Sequence, residues 1–158
     1  MKTEHYATPP GKRKITYVYG LTLFLMAITG FAQMPIFKRY YIADIPGLGW
    51  LAEFYTTHFL HYLGGVAILT ITAYFAAEFI LFTRRYLRLS ASGALRATML
   101  AAIIATGILL VIRNTIFAPF SPPTITVILL IHLGFTIVFL IFAFYCRLSG
   151  RPWALPRK

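Results

Sequence analysis

The chain has 158 residues and a formal net charge of +11, yet 59% of it is hydrophobic and only 12% is charged. A soluble domain is nearer half apolar and a quarter charged, so this composition excludes a water-soluble globule and points to a bilayer as the solvent. The positive charge does not call for nucleic acid, because the basic residues stand at the ends of apolar stretches, where the positive-inside rule puts them.

A hydrocarbon core of about 30 Å needs roughly 20 apolar residues per helical span. Four stretches meet that need, at about 15–33, 54–83, 97–112 and 125–146. Transmembrane strands would alternate with period two in segments of about ten residues, and no such alternation is present. The expected fold is an all-α transmembrane four-helix bundle, formed by a single integral-membrane domain over residues 1–158.

A polar tail with Lys2, His5, Lys12, Arg13 and Lys14 comes first. No A-x-A-like site follows a short apolar core, so no cleaved signal peptide is expected. The first loop, Met34 to Glu53, is the longest connection, and its IPGLGW stretch (45–50) predicts a turn into an interfacial segment, with Trp50 and Tyr55 at headgroup level. The second span opens on HFLHYLGG (58–65) and carries Glu78 near its far end. Arg84, Arg85, Arg88 and Arg96 follow in the second loop region. The third span is the shortest, with room to borrow residues from either flank. The proline-rich third loop, NTIFAPFSPP (114–123), is short enough to make helices three and four antiparallel neighbours. The fourth span carries His132 and ends near Cys146, the only cysteine, so neither an intrachain disulfide nor a cysteine-rich metal cluster is available. The C-terminal tail adds Arg147, Arg151, Arg157 and Lys158. Both tails and the second loop together carry twelve basic residues, against Lys38, Arg39 and Arg113 on the opposite side, which predicts an N-in, C-in topology.

Ionisable side chains inside a span are costly and commonly mark a pathway or a cofactor. His5 lies in the polar tail, where an ordinary solvated imidazole is expected. His61 lies seven residues past Phe54 and His132 eight past Thr124. At 1.5 Å per residue both stand about 10–12 Å below the outer boundary. A lone intramembrane histidine often only bonds between helices, but two at matching depth on separate helices suit bis-histidine ligation of a haem iron. Gly64, Gly65 and Gly134 offer room for a porphyrin face. Zinc would need a third or fourth ligand, and none lies at that depth. His58, one turn above His61, has three readings: partner of a haem propionate, lining of a quinone pocket, or the ligand itself. His61 is preferred because Gly65 lies four residues on, beneath it.

With those histidines in view, FLMAITGF (24–31), HYLGG (61–65), IIATGILL (103–110) and IHLGF (131–135) resemble, in order and spacing, the four-helix cytochrome b (gamma) subunit of respiratory formate dehydrogenases. That family is related to the cytochrome b subunits of nickel–iron hydrogenases and thiosulfate reductases. The resemblance covers nearly the whole chain and implies an outer haem on His61 and His132. The family's inner haem would use positions that here hold Thr16 (approximately) and Cys146, and its Asn-Ala-Gly quinone turn reads Ala91-Ser92-Gly93. One haem b is therefore expected, with menaquinone or ubiquinone bound in the outer half near His58, Tyr62 or Arg113. The resemblance further implies iron–sulfur and molybdenum or tungsten catalytic partner subunits and a prokaryotic cytoplasmic membrane.

Other residues invite plainer readings beside functional ones. Glu78 either pairs with Arg84 or Arg85 or delivers protons to a quinone. Tyr17, Tyr19 and Tyr145 read as interfacial aromatics, and Cys146 as a buried apolar-like side chain. Arg113 and Asn114 either meet propionates or a quinone, or anchor the third loop. With no nucleophile–base pair and no phosphate loop, the expectation is an electron-transfer subunit rather than an enzyme in itself. The competing expectation is a haem-free anchor or assembly subunit of a respiratory complex; transport is disfavoured by the lack of broken helices in repeated halves.

Overall fold

The computed structural model describes residues 10–34, 41–115 and 120–157, with the side chains of 10–13 and of Ala43 set aside. Lys2, His5, Lys38, Arg39, Lys158, the side chains of Lys12 and Arg13, and the centre of the third loop therefore lie outside the described residues. The fold is all-α, as composition predicts. Its helices are α1 (Pro10–Ala32), α2 (Phe54–Glu78), α3 (Ala91–Ile112) and α4 (Pro122–Leu148). All four are long and apolar enough to cross a membrane. Large apolar side chains face outward in mid-helix, such as Phe24 at 61%, Val66 at 64% and Ile141 at 66% exposure. Water would not tolerate apolar surface on that scale, whereas hydrocarbon does, and helices satisfy their own backbone groups there. This is a multi-pass membrane protein.

Two compact units make up the chain, Met1–Ala77 and Glu78–Lys158. In the first, short 3-10 turns at Ile42–Asp44 and Gly49–Ala52 lead from the first loop into α2. Trp50 and Tyr55 are exposed at that entry. Contact between α1 and α2 relies on small residues. A Cβ at Gly64 would come within 2.7 Å of Met26 Cγ, so the Met26 side chain fits only because the position is glycine.

The second unit begins with the end of the second span, where α2 loosens into a π-helical turn over Phe79–Thr83 and Arg84 N–H bonds back to Phe79 O at 2.8 Å. The third helix starts six residues before the predicted boundary, since Ser90 is its N-cap and accepts from Gly93 N–H at 2.9 Å. The fourth starts at Pro122, behind the N-cap Ser121, with proline at the first helical positions, where the missing N–H costs nothing. These two helices pack side by side as the short third loop predicts. Phe139 and Cys146 are buried on α4 and Leu100 on α3.

One feature at the end of α4 lay beyond any periodicity in the sequence. Gly150, at φ +62, closes a C-terminal cap in which Arg151 N–H reaches Cys146 O at 2.9 Å and Gly150 N–H reaches Arg147 O at 3.4 Å. The chain then turns back, and strand β2 (Ala154–Pro156) pairs antiparallel with strand β1 (Leu87–Leu89). Arg96, counted above among loop charges, is buried inside α3 beneath this ribbon. Its Nη2 donates to the Arg151 and Pro152 carbonyls at 3.2 and 3.1 Å, and its guanidinium stacks 4.1 Å above the Trp153 ring. Ser90 Oγ donates to Pro152 O at 2.7 Å. Ala91-Ser92-Gly93 is thus the first turn of a helix, and Gly93 is glycine because a Cβ there would collide with the Trp153 carbonyl oxygen.

Candidate functional site

Residues three apart on a helix share a face, and both α2 histidines turn towards α1. His61 Nδ1 lies 3.1 Å from Thr29 Oγ1. The single hydroxyl proton of Thr29 goes to Leu25 O at 2.8 Å, the i−4 bond that threonine makes within helices. With that proton so placed, the oxygen is available to accept from Nδ1 of the His61 ring. Gly30 sits directly beside the ring, and a Cβ there would stand 3.1 Å from His61 Cε1.

His58 joins the same polar chain from one turn away. Its Nδ1 lies 3.1 Å from Gln33 Oε1, while Gln33 Nε2 donates to the Thr29 carbonyl at 3.3 Å. The amide orientation makes Oε1 the acceptor, so His58 Nδ1 donates. The His58 ring also stacks on Phe54 at 5.2 Å and meets Tyr62 at 4.3 Å. Gln33 and Thr29 therefore link the two histidines through α1.

The second unit repeats the device. His132 Nδ1 lies 3.0 Å from Thr106 Oγ1 and 3.1 Å from Ile103 O. A carbonyl can only accept, so the proton is on Nδ1. Thr106, like Thr29, gives its own proton to the carbonyl four residues back, Ala102 O at 2.8 Å. Gly107 takes the place of Gly30, with a would-be Cβ 3.4 Å from His132 Cε1. In each unit a Thr-Gly pair on one helix thus holds the imidazole of the next helix by Nδ1. Each ring is thereby fixed in one orientation against the preceding helix.

The remaining predicted residues fall elsewhere. Gly65 lies under the Met26 methyl, 3.9 Å from its would-be Cβ, so the glycine against the His61 ring is Gly30 rather than Gly65. Gly134 borders a wholly apolar surface cavity of about 270 Å³ with Met99, Ile131, Phe135 and Val138. Arg113 caps α3, and its Nε donates to Asn114 Oδ1 at 3.3 Å, which fits loop anchoring. Cys146 is buried, as its apolar-like reading expects. Tyr17 is exposed, and Tyr145 is exposed beside Arg151, whose Nη2 donates to its hydroxyl at 3.4 Å. Among the described residues no three of His, Cys, Asp and Glu gather closely enough to hold a metal ion.

Thr29, Gly30, Gln33, Thr106 and Gly107 carry no role in a reading of the sequence alone. A signal was present: both odd-numbered helices carry Thr-Gly, and both even-numbered helices carry a histidine, 32 residues after Thr29 and 26 after Thr106. No family model matches this chain, and neither a curated protein nor a solved structure matches it.

Proposed function

We propose that the chain is the membrane-anchoring b-type cytochrome subunit of a respiratory complex, with one haem b whose iron is ligated by His61 and His132. The observation that carries this reading is the matched pair of imidazoles, each held at Nδ1 by a threonine of the preceding helix. Haem supplies four ring nitrogens and a one-electron couple, so two histidines complete its ligand set and no larger protein cluster is required. The chain's own contribution is to hold each ring at Nδ1 and, through Gly30 and Gly107, to let it pack closely on the neighbouring helix. His58 is the outer-shell neighbour in this reading, coupled to His61 through Gln33 and Thr29.

Electrons would pass between a redox partner subunit at the outer face and the membrane quinone pool, with menaquinone or ubiquinone bound near His58 and Tyr62. Iron–sulfur and molybdenum or tungsten partner subunits, a prokaryotic inner membrane and the N-in, C-in topology belong to the same proposal, supported by the resemblance and the charge asymmetry. A second reading has one specific observation in its favour. Imidazole–threonine bonds between helices hold a hairpin together without any cofactor, contributing about 0.6 and at most about 1.7 kcal/mol each in a membrane. On that account the chain is a haem-free anchor.

A dithionite-reduced spectrum of the purified protein, with haem stoichiometry, separates the two. One haem b per chain is expected, lost in His61→Ala and in His132→Ala and retained in His58→Ala. Absence of any haem band from protein made in haem-replete cells would favour the anchor. Retention in His61→Ala with loss in His58→Ala would move the ligand to His58.

A further inference from the structure

We infer that the ribbon end of the second unit is a binding surface for anionic phospholipid headgroups. After Glu78 the chain contains eight arginines and one lysine and no aspartate or glutamate. The fold gathers most of these cations at one end of the α3–α4 hairpin. Arg84 and Arg85 follow the π turn, Arg88 lies in β1, Arg147 in the last turn of α4, and Arg157 follows β2. Arg157 is tied there by its N–H to Tyr86 O at 2.8 Å and its Nη1 to Arg84 O at 3.0 Å. Like charges are thus drawn together by the ribbon, which is unfavourable unless an anion neutralises them. Arg85, Arg88 and Arg147 are exposed, and among the described residues their side chains have no hydrogen-bond or ion-pair partner.

The partner's chemistry follows from what surrounds the arginines. The cluster begins where two membrane-length helices end, and large apolar side chains stand exposed between its members. Tyr86 is 73% and Leu148 72% exposed, and Trp153, Leu89 and Leu155 lie open on the ribbon. Aromatic and leucine side chains among arginines suit the headgroup layer, where the apolar parts enter the acyl boundary and guanidinium groups reach phosphates. An acidic protein surface would match the charge but not this apolar component. Each arginine near an anionic leaflet strengthens the attraction roughly fivefold. Neither haem nor quinone enters this inference.

The test uses the full chain in nanodiscs of phosphatidylcholine with and without phosphatidylglycerol, reading the lipids retained after detergent extraction by native mass spectrometry. Wild type should retain phosphatidylglycerol about tenfold above its share of the bilayer. R85Q/R88Q/R147Q, which leaves the ribbon bonds of Arg84, Arg96 and Arg157 in place, should lose most of that enrichment. R85K/R88K/R147K should keep it, and so guards against a folding failure being taken for lost affinity. Equal enrichment in wild type and the glutamine variant would overturn the proposal. No enrichment in wild type would also overturn it and leave the surface to an acidic protein partner. Displacement of the retained lipid by millimolar inorganic phosphate would reassign the site to a free anion.

Discussion

Gly30 and Gly107 occupy equivalent places in the two units, yet alanine at each should act with opposite sign. In a helix interior alanine is favoured over glycine by about 1 kcal/mol. At Gly107 the new methyl would stand 3.4 Å from His132 Cε1 and 3.8 Å from Nδ1. That is close to the ~3.5–4.0 Å optimum for carbon contacts, so a shift of a tenth or two suffices and the propensity gain survives. At Gly30 the methyl would stand 3.1 Å from His61 Cε1 and 3.5 Å from Nδ1. The ring cannot swing away without stretching its bond to Thr29, already at 3.1 Å. Overpacking of this kind costs about 1–3 kcal/mol, which offsets the gain and leaves a net loss of up to about 2 kcal/mol. Thermal unfolding of the full chain in nanodiscs should place Gly107→Ala above wild type and Gly30→Ala below it. On the soluble-domain scale the separation is about 2–4 °C per kcal/mol. Equal shifts for the two variants, or Gly107→Ala as the less stable, would refute the claim that the His61 ring is clamped against α1. The stability comparison stands whether or not a haem is bound.

Three further outcomes follow from the same contacts. Thr106→Val should lower stability by no more than about 1 kcal/mol, because Ile103 O still accepts from His132 Nδ1 at 3.1 Å, and Thr106→Ser should restore it; a larger loss in melting experiments would mean that the carbonyl bond is not made. Gly93→Ala should free the C-terminal tail, since its Cβ collides with the Trp153 carbonyl, and limited chymotrypsin digestion should then cut after Trp153 much faster; an unchanged rate would show that the ribbon is not docked on α3. Reporter fusions after Lys158 and within residues 40–48 should report opposite sides of the membrane, and same-side signals would remove the N-in, C-in topology.

The helices were legible because hydrocarbon imposes a length and a composition that survive without any knowledge of packing. Their ends were less so. The third span was placed at 97–112 from apolarity, yet α3 begins at Ala91, because Ser90 can cap it and because Arg96 has partners that make a charge tolerable inside a helix. Those partners are carbonyls 55 and 56 residues away. No local pattern announces them, and three-residue strands have no periodicity to read. The tail thus counted only as a source of basic charge, when residues 154–156 form one half of a ribbon.

The histidines show the other side of this limit. Residue type and depth sufficed to single out His58, His61 and His132, because an imidazole in a membrane span needs a reason to be there. What holds each ring lies on the preceding helix and depends on hydroxyl bookkeeping. Thr29 and Thr106 each bond a carbonyl within their own helix as well as a histidine of the next. The glycine that follows each threonine lets the ring approach the backbone. From sequence, glycines after His61 looked like the space for a cofactor; in the structure Gly64 and Gly65 face Met26. The working unit is therefore a Thr-Gly pair on one helix with a histidine on the next. It occurs in both halves of the chain, in the same order, and holds His61 and His132 at the same ring nitrogen. A ring held this way can serve as a ligand or as a bond between helices, since both uses need the imidazole fixed by Nδ1; the haem content of His61→Ala and His132→Ala is what tells the two apart.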